Sequence, residues 1–226
     1  GNQVFQIYNL EMSALNKGLW IDGAKDQSMI SGFHFWNFGF GAATALYTGV
    51  FTDGNTDCMN IGEQDGSLFV NLFCHESAIR AVSSGSDLVG SWSNVSLDGG
   101  SLIIEDTDHL EIANLNGSGG SGAYACLVNV SGGLLNLTNY TVQHTSTTKE
   151  LCVSGGTANV TGGRWLGSAT LTSASITGGT ARIRGVHFGV PDTNRTIPVV
   201  KQTAGALVMQ NNTSGIVGAA SGVFLA

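Results

Sequence analysis

Residues 28–35 read SMISGFHF, and near the other end of the chain residues 181–188 read ARIRGVHF, with Ile, Gly, His and Phe at the same four places. Long-range self-similarity of this kind constrains a fold strongly, because a repeated segment has to solve the same packing problem each time it occurs. Anchoring on Gly32 and Gly185, we find Asn or Gly with an apolar residue two places earlier at Asn9, Gly32, Asn71, Asn94, Asn114, Asn139, Gly162, Gly185 and Asn211. The intervals are 23, 39, 23, 20, 25, 23, 23 and 26 residues. All but one lie in the range of a solenoid repeat, and the interval of 39 is read as one coil plus a loop insertion at about residues 37–56.

Two places before each anchor stand Ile7, Ile30, Phe69, Trp92, Ile112, Leu137, Val160, Ile183 and Met209, an unbroken apolar column. Apolar residues also follow one and three places after most early anchors, as in Leu10 and Met12, Phe33 and Phe35, Leu72 and Cys74, and Val95 and Leu97. That alternation is the signature of a strand on each side of a corner. Asn and Gly exchange at the corner because both tolerate the left-handed backbone that a sharp bend between strands requires. Leu110, Leu135, Ala158, Ala181 and Leu207 form a second inner column. Gly pairs at 132–133, 155–156 and 178–179, each 23 residues apart, read as further turns. With no helical periodicity, the expected fold is an all-β parallel β-helix of roughly nine coils, about 23 residues each, in one domain spanning 1–226. Residues 212–226 are expected to form a last coil or a cap.

Composition narrows the class. A chain with 42% hydrophobic and 11% charged residues can bury a core, which excludes disorder. Its 33 Gly show no Gly-X-Y period, which excludes collagen, and no uncharged apolar run reaches the length of a membrane span. Nine Lys and Arg in a chain of net charge −7, without a basic cluster, argue against a nucleic-acid partner. The chain opens at Gly1 directly on a strand-like stretch without a secretion signal, as a fragment or processed form would. Cys58, Cys74, Cys126 and Cys152 lack zinc spacing and read as buried thiols, with disulfide pairing the alternative. No metal or other cofactor is expected. His34 and His187 point outward beside the corner, without further ligands in view.

The stacked corner Asn and the coil length resemble the right-handed parallel β-helix of the pectate-lyase-like superfamily. Within the insertion, Asn55, Thr56 and Asp57 are similar to the first motif of polygalacturonases, which implies a catalytic carboxylate at Asp57. The paired Asp residues that this family places one coil later are absent; that stretch offers Glu76, in CHESAIRAV. Asp57 and Glu76 lie 19 residues apart, so neighbouring coils are expected to bring their carboxylates to roughly 5–9 Å, a separation suited to glycoside hydrolysis. Trp20 should face outward beside Asp22, and Trp36 lies at the insertion; both are candidate platforms for a sugar ring. Asp53, Glu63 and Asp65 complete the candidate substrate-binding set, while Glu105, Asp106, Asp108 and Glu111 read as a capped turn. Low charge, outward Tyr8, Val70 and Phe73, and the abrupt start resemble a segment of a bacteriophage tailspike or receptor-binding fibre. That resemblance implies a homotrimer on a virion surface that binds, and often cleaves, a bacterial surface polysaccharide. A non-enzymatic adhesin or structural fibre is the second reading, and a secreted, extracellular pectin-cleaving enzyme the third.

Overall fold

The computed structural model describes residues 4–13, 17–24, 27–36, 56–82, 88–119, 124–143, 148–167, 171–189 and 197–215. The strands run β1 (Gln6–Met12), β2 (Lys17–Ile21), β3 (Met29–Phe35), β4 (Asp57–Ile61), β5 (Gln64–His75), β6 (Ala78–Val82) and β7 (Leu88–Asp98). They continue as β8 (Ser101–Asp106), β9 (His109–Ser118), β10 (Cys126–Val130), β11 (Leu134–Thr138), β12 (Thr141–Gln143) and β13 (Lys149–Val153). The last are β14 (Thr157–Leu166), β15 (Ala174–Ile176), β16 (Thr180–Gly189), β17 (Val200–Gln202), β18 (Ala206–Gln210) and β19 (Thr213–Ser214).

The chain is a parallel β-solenoid, and among the described residues there is no helix. One sheet stacks β1-β3-β5-β7-β9-β11-β14-β16-β18, with β12 and β19 extending it beyond the corner; the other stacks β2-β4-β6-β8-β10-β13-β15-β17. The structure has about 7 turns rather than the roughly nine expected. Counting anchors overstates turns, since each turn is the path between two anchors and the terminal strands stack on one side only. The insertion expected at 37–56 falls, apart from Thr56, outside the described residues, as does the end of the chain beyond residue 215.

Register follows the sequence columns. Ile7 pairs with Ile30, Ile30 with Phe69, and the line continues through Trp92, Ile112, Leu137, Val160 and Ile183 to Met209. Leu110, Leu135, Ala158, Ala181 and Leu207 stack in the same way. These side chains fill the coil interior, where each buried aliphatic contributes on the order of 1.5–3 kcal/mol. Phe69 stacks on Trp92, and Trp165 meets Tyr140 and Phe188 edge-on, all with ring centroids 5.3 Å apart. Buried polar ends find partners: Trp92 Nε1 donates to Ser67 Oγ, Trp165 Nε1 to the Tyr140 carbonyl, and Tyr140 Oη to the Glu150 carbonyl. Burial, reinforced by the Glu150 charge, raises the Tyr140 phenol well above its usual pKa.

All nine anchors have positive φ, from 52° at Asn9 to 76° at Gly32. From β5 to β11 the corner is hydrogen-bonded side chain to side chain: Asn94 Nδ2 donates to Asn71 Oδ1 at 3.0 Å, Asn114 to Asn94 at 3.1 Å, and Asn139 to Asn114 at 2.9 Å. The Gly pairs are turns as well. At Gly156 and Gly179 φ is 62°, and a Cβ would come within 2.5 Å of the backbone one coil below.

The cysteines depart from expectation, because they form two disulfides. Cys58–Cys74 joins the two sheets across the interior with a Cα separation of 6.2 Å, and Cys126–Cys152 joins adjacent strands of one sheet at 6.0 Å. Both separations fall in the ordinary disulfide range.

Replacing Asn114 separates the two contributions of the corner. Asn114→Ala should cost about 2 kcal/mol in urea denaturation, since it strains the left-handed backbone and removes two ladder hydrogen bonds. Asn114→Gly should cost about half as much, because only the hydrogen bonds are lost. Equal costs would separate stability from backbone hand.

Candidate functional site

Past the corner, the residues that alternate with the core positions on β1, β3, β5, β7 and β9 form two columns. Two places after each anchor stand Glu11, His34, Phe73, Ser96 and Asn116; four places after stand Trp36, His75, Asp98 and Ser118. Together they make a strip whose early part is aromatic and whose later part is polar.

The rings hold one another. Trp36 Nε1 donates to His34 Nδ1 at 3.1 Å, which leaves the neutral His34 ring with its proton on Nε2. His34 lies edge-on to Phe73 with centroids 4.7 Å apart, and Trp36 lies 5.2 Å from Phe73 and 5.4 Å from His75. His75 is buried between two carboxylates: its Nδ1 is 4.0 Å from Glu76 Oε2 and its Nε2 3.9 Å from Asp98 Oδ2. Ser118 Oγ donates to Asp98 Oδ1, fixing that carboxylate from the next coil. Beside the strip a depression of about 450 Å³ is lined by Asn9, Glu11, Gly32, His34, Asn71 and Phe73.

Glu76 has the most unusual backbone. Its φ of 49° makes it, among the described residues, the one positive-φ residue that is neither Asn nor Gly. For a Glu that conformation costs on the order of 1 kcal/mol, and such strain gathers at functional positions. The Glu76 amide donates to the Asp98 carbonyl at 2.7 Å, so the strained turn also ties the two acidic residues together.

The other expected site residues are distributed around the coil. Asp57 opens β4, and its register partner on β6 is Ala78; Glu76 therefore lies two places earlier, in the turn, instead of opposite Asp57. The Asp57 carboxylate is engaged by Arg80, whose Nε lies 3.3 Å from both oxygens, while Arg80 Nη1 donates to Glu105 at 2.6 Å. Burial works against the guanidinium charge, but Asp57 and Glu105 outweigh it and raise the Arg80 pKa above its ordinary value. Trp20 does face outward, 60% exposed, on the outer face of the second sheet, with Lys17 Nζ 4.5 Å from its ring centroid. Asp22 Oδ1 accepts the Glu63 amide at 3.0 Å and so clasps the turn between β4 and β5, after which Asp65 is exposed. Asp53 lies outside the described residues. Of the expected set, the fold thus gathers Trp36 and Glu76 around His75.

His75, Asp98 and Ser118 were not picked out from the sequence, although counting four places from Asn71, Asn94 and Asn114 finds all three. Among the described residues no group of His, Cys, Asp and Glu could hold a metal ion, and no helix is long and apolar enough to cross a membrane. Compared with family models, with curated proteins and with solved structures, the chain matches none. The fold alone defines its class, the parallel β-solenoids.

Cys58 adjoins Asp57 and Cys74 adjoins His75, so their disulfide fastens the strip to the opposite sheet. Native protein should resist thiol labelling until reduced. Its loss through Cys58→Ser/Cys74→Ser should cost about 3 kcal/mol in denaturant unfolding, from the closed loop of 16 residues. Quantitative labelling of unreduced protein would show that the bridge is not formed.

Proposed function

We propose that the protein is a surface-exposed solenoid of spike or adhesin type that binds a bacterial surface polysaccharide along the strip from His34 and Trp36 to Ser118. The observation that carries this reading is the strained Glu76 beside a buried His75, directly after an aromatic cluster. Sugar rings pack their apolar faces on aromatic side chains, and fixed carboxylates and imidazoles accept and donate to their hydroxyls. A polymer lying along the coil axis meets rings first and carboxylates one or two coils later. Two disulfides fit an oxidising exterior, which favours an extracellular or virion-surface location over the cytosol. The homotrimer implied by the tailspike resemblance belongs to the same proposal.

Cleavage is a second reading, supported by Glu76 and Asp98 flanking one imidazole. In a glycoside hydrolysis one carboxyl group protonates the leaving oxygen and the other activates water or attacks the sugar carbon. Asp57, committed to Arg80, is less available for that work than Asp98.

The test is a panel of bacterial surface polysaccharides run with light scattering, so that complex mass and glycan chain length are read together. Trp36→Ala should weaken binding to the cognate glycan about tenfold. If the protein is an enzyme, Glu76→Gln should stop chain shortening with binding retained, whereas Asp57→Asn should leave shortening intact and lower only stability. Undiminished binding by Trp36→Ala would remove the strip as the site.

A further inference from the structure

In a solenoid, position in the sequence is position along the axis, and charge is divided sharply along it. Residues 1–112 hold 14 Asp and Glu against 3 Lys and Arg, a net −11; residues 113–226 hold 2 against 6, a net +4, which together give the −7 of the chain. The modest overall charge therefore conceals an acidic half and a basic half.

The basic half concentrates its charge at one corner. Arg184 stands one place before Gly185 on β16, and Arg164 two places after Gly162 on β14; both are exposed. Arg182 and His187 both lie on β16 and are tied to Asn159 and Thr213 of the neighbouring coils. Here the Asn ladder has ended. A Cβ at Gly162 would meet nothing within 4 Å and one at Gly185 only the Gly162 backbone, while the Asn212 carboxamide of the next coil bridges the Ile183 carbonyl and the Val186 amide. Among the described residues no carboxylate pairs with Arg164 or Arg184, and Glu150, the one described acidic residue of this half, is buried. Arg80 shows the contrast: its guanidinium is neutralised by Asp57 and Glu105, carboxylates from the two neighbouring coils.

We propose that Arg164, Arg184 and His187, around the Gly162 and Gly185 corners, bind the anionic groups of an acidic glycan. Guanidinium groups pair in bidentate fashion with carboxylate, sulfate and phosphate, and an uncrowded corner admits a branched ring between them. Nucleic acid fits less well. A duplex carries a charge every ~1.7 Å of its axis and would extend over the acidic coils, while single strands stack on exposed rings. The large aromatics of these coils, Tyr140, Trp165 and Phe188, are all inside. An acidic glycan has sparser charge and needs no stacking here. This site is separate from the aromatic strip, and its existence does not depend on the function proposed for that strip.

The experiment measures binding of heparin oligosaccharides, polygalacturonate, neutral dextran and single-stranded DNA by calorimetry at low and high salt, using wild type, Arg164→Gln/Arg184→Gln, Arg164→Lys/Arg184→Lys and Lys201→Gln, an exposed basic residue of the other sheet. Wild type should bind at least one acidic glycan and not dextran, with affinity falling as salt rises. The Gln pair should bind at least tenfold more weakly with an unchanged melting temperature, the Lys pair should recover part of the loss, and Lys201→Gln should bind as wild type does. Binding to neither acidic glycan, equal binding by the Gln pair, or tighter binding of single-stranded DNA at the same salt would each overturn the proposal.

Discussion

Every coil of this solenoid turns on one residue held in the left-handed region of backbone space. An ordinary side chain pays roughly 1–2 kcal/mol to stand there, and nine such corners filled by poor residues would exceed the net stability of a typical domain. The chain meets the constraint with Gly at three corners and Asn at six, of which Asn71, Asn94, Asn114 and Asn139 also hydrogen-bond to one another through their amides. Once corners coincide, register is fixed, because a slip of one residue would exchange inside for outside along the whole strand.

From that register the molecule divides into an invariant interior and a varied exterior. Inside, the same columns recur from coil to coil, and the bulky polar rings reach carbonyls or hydroxyls within the coil. Outside, equivalent positions carry different chemistry on successive coils. Two places past the corner the series begins Glu11, His34, Phe73 and later reaches Arg164 and His187. Different binding chemistry can therefore occupy different coils on one scaffold, aromatic and acidic early, basic late, without altering the core. Glu76, in the turn between β5 and β6, is the one left-handed residue among those described that is neither Asn nor Gly, and it adjoins the cluster of rings and carboxylates around His75.

The fold was legible because a period permits counting: once Asn9 and Gly32 are equivalent, Ile7 and Ile30 must be as well, and the pairing follows. The disulfides were not legible in the same way. Cys58 and Cys74 sit on different sheets at unrelated repeat positions, and only the width of the interior brings them together. The separation of 19 residues between Asp57 and Glu76 was close to a coil but two residues short of the true register partner, Ala78. That difference moves Glu76 from strand to turn, and Arg80, 23 residues after Asp57, takes the place beside the carboxylate. The Trp36, His75, Asp98 column, by contrast, was available from the same counting that found the core, one step farther from the corner.

Since placement of both proposed surface sites depends on the corners, their backbone hand is the quantity to measure. Backbone chemical shifts and three-bond HN–Hα couplings of a labelled sample report φ at the anchors directly. The account predicts left-handed values at Asn9, Asn71, Asn94, Asn114, Asn139 and Asn211, and at Glu76. Extended or right-handed values at the corner Asn residues would contradict it, since the columns that gather Trp36, His75 and Asp98 would then have no common register.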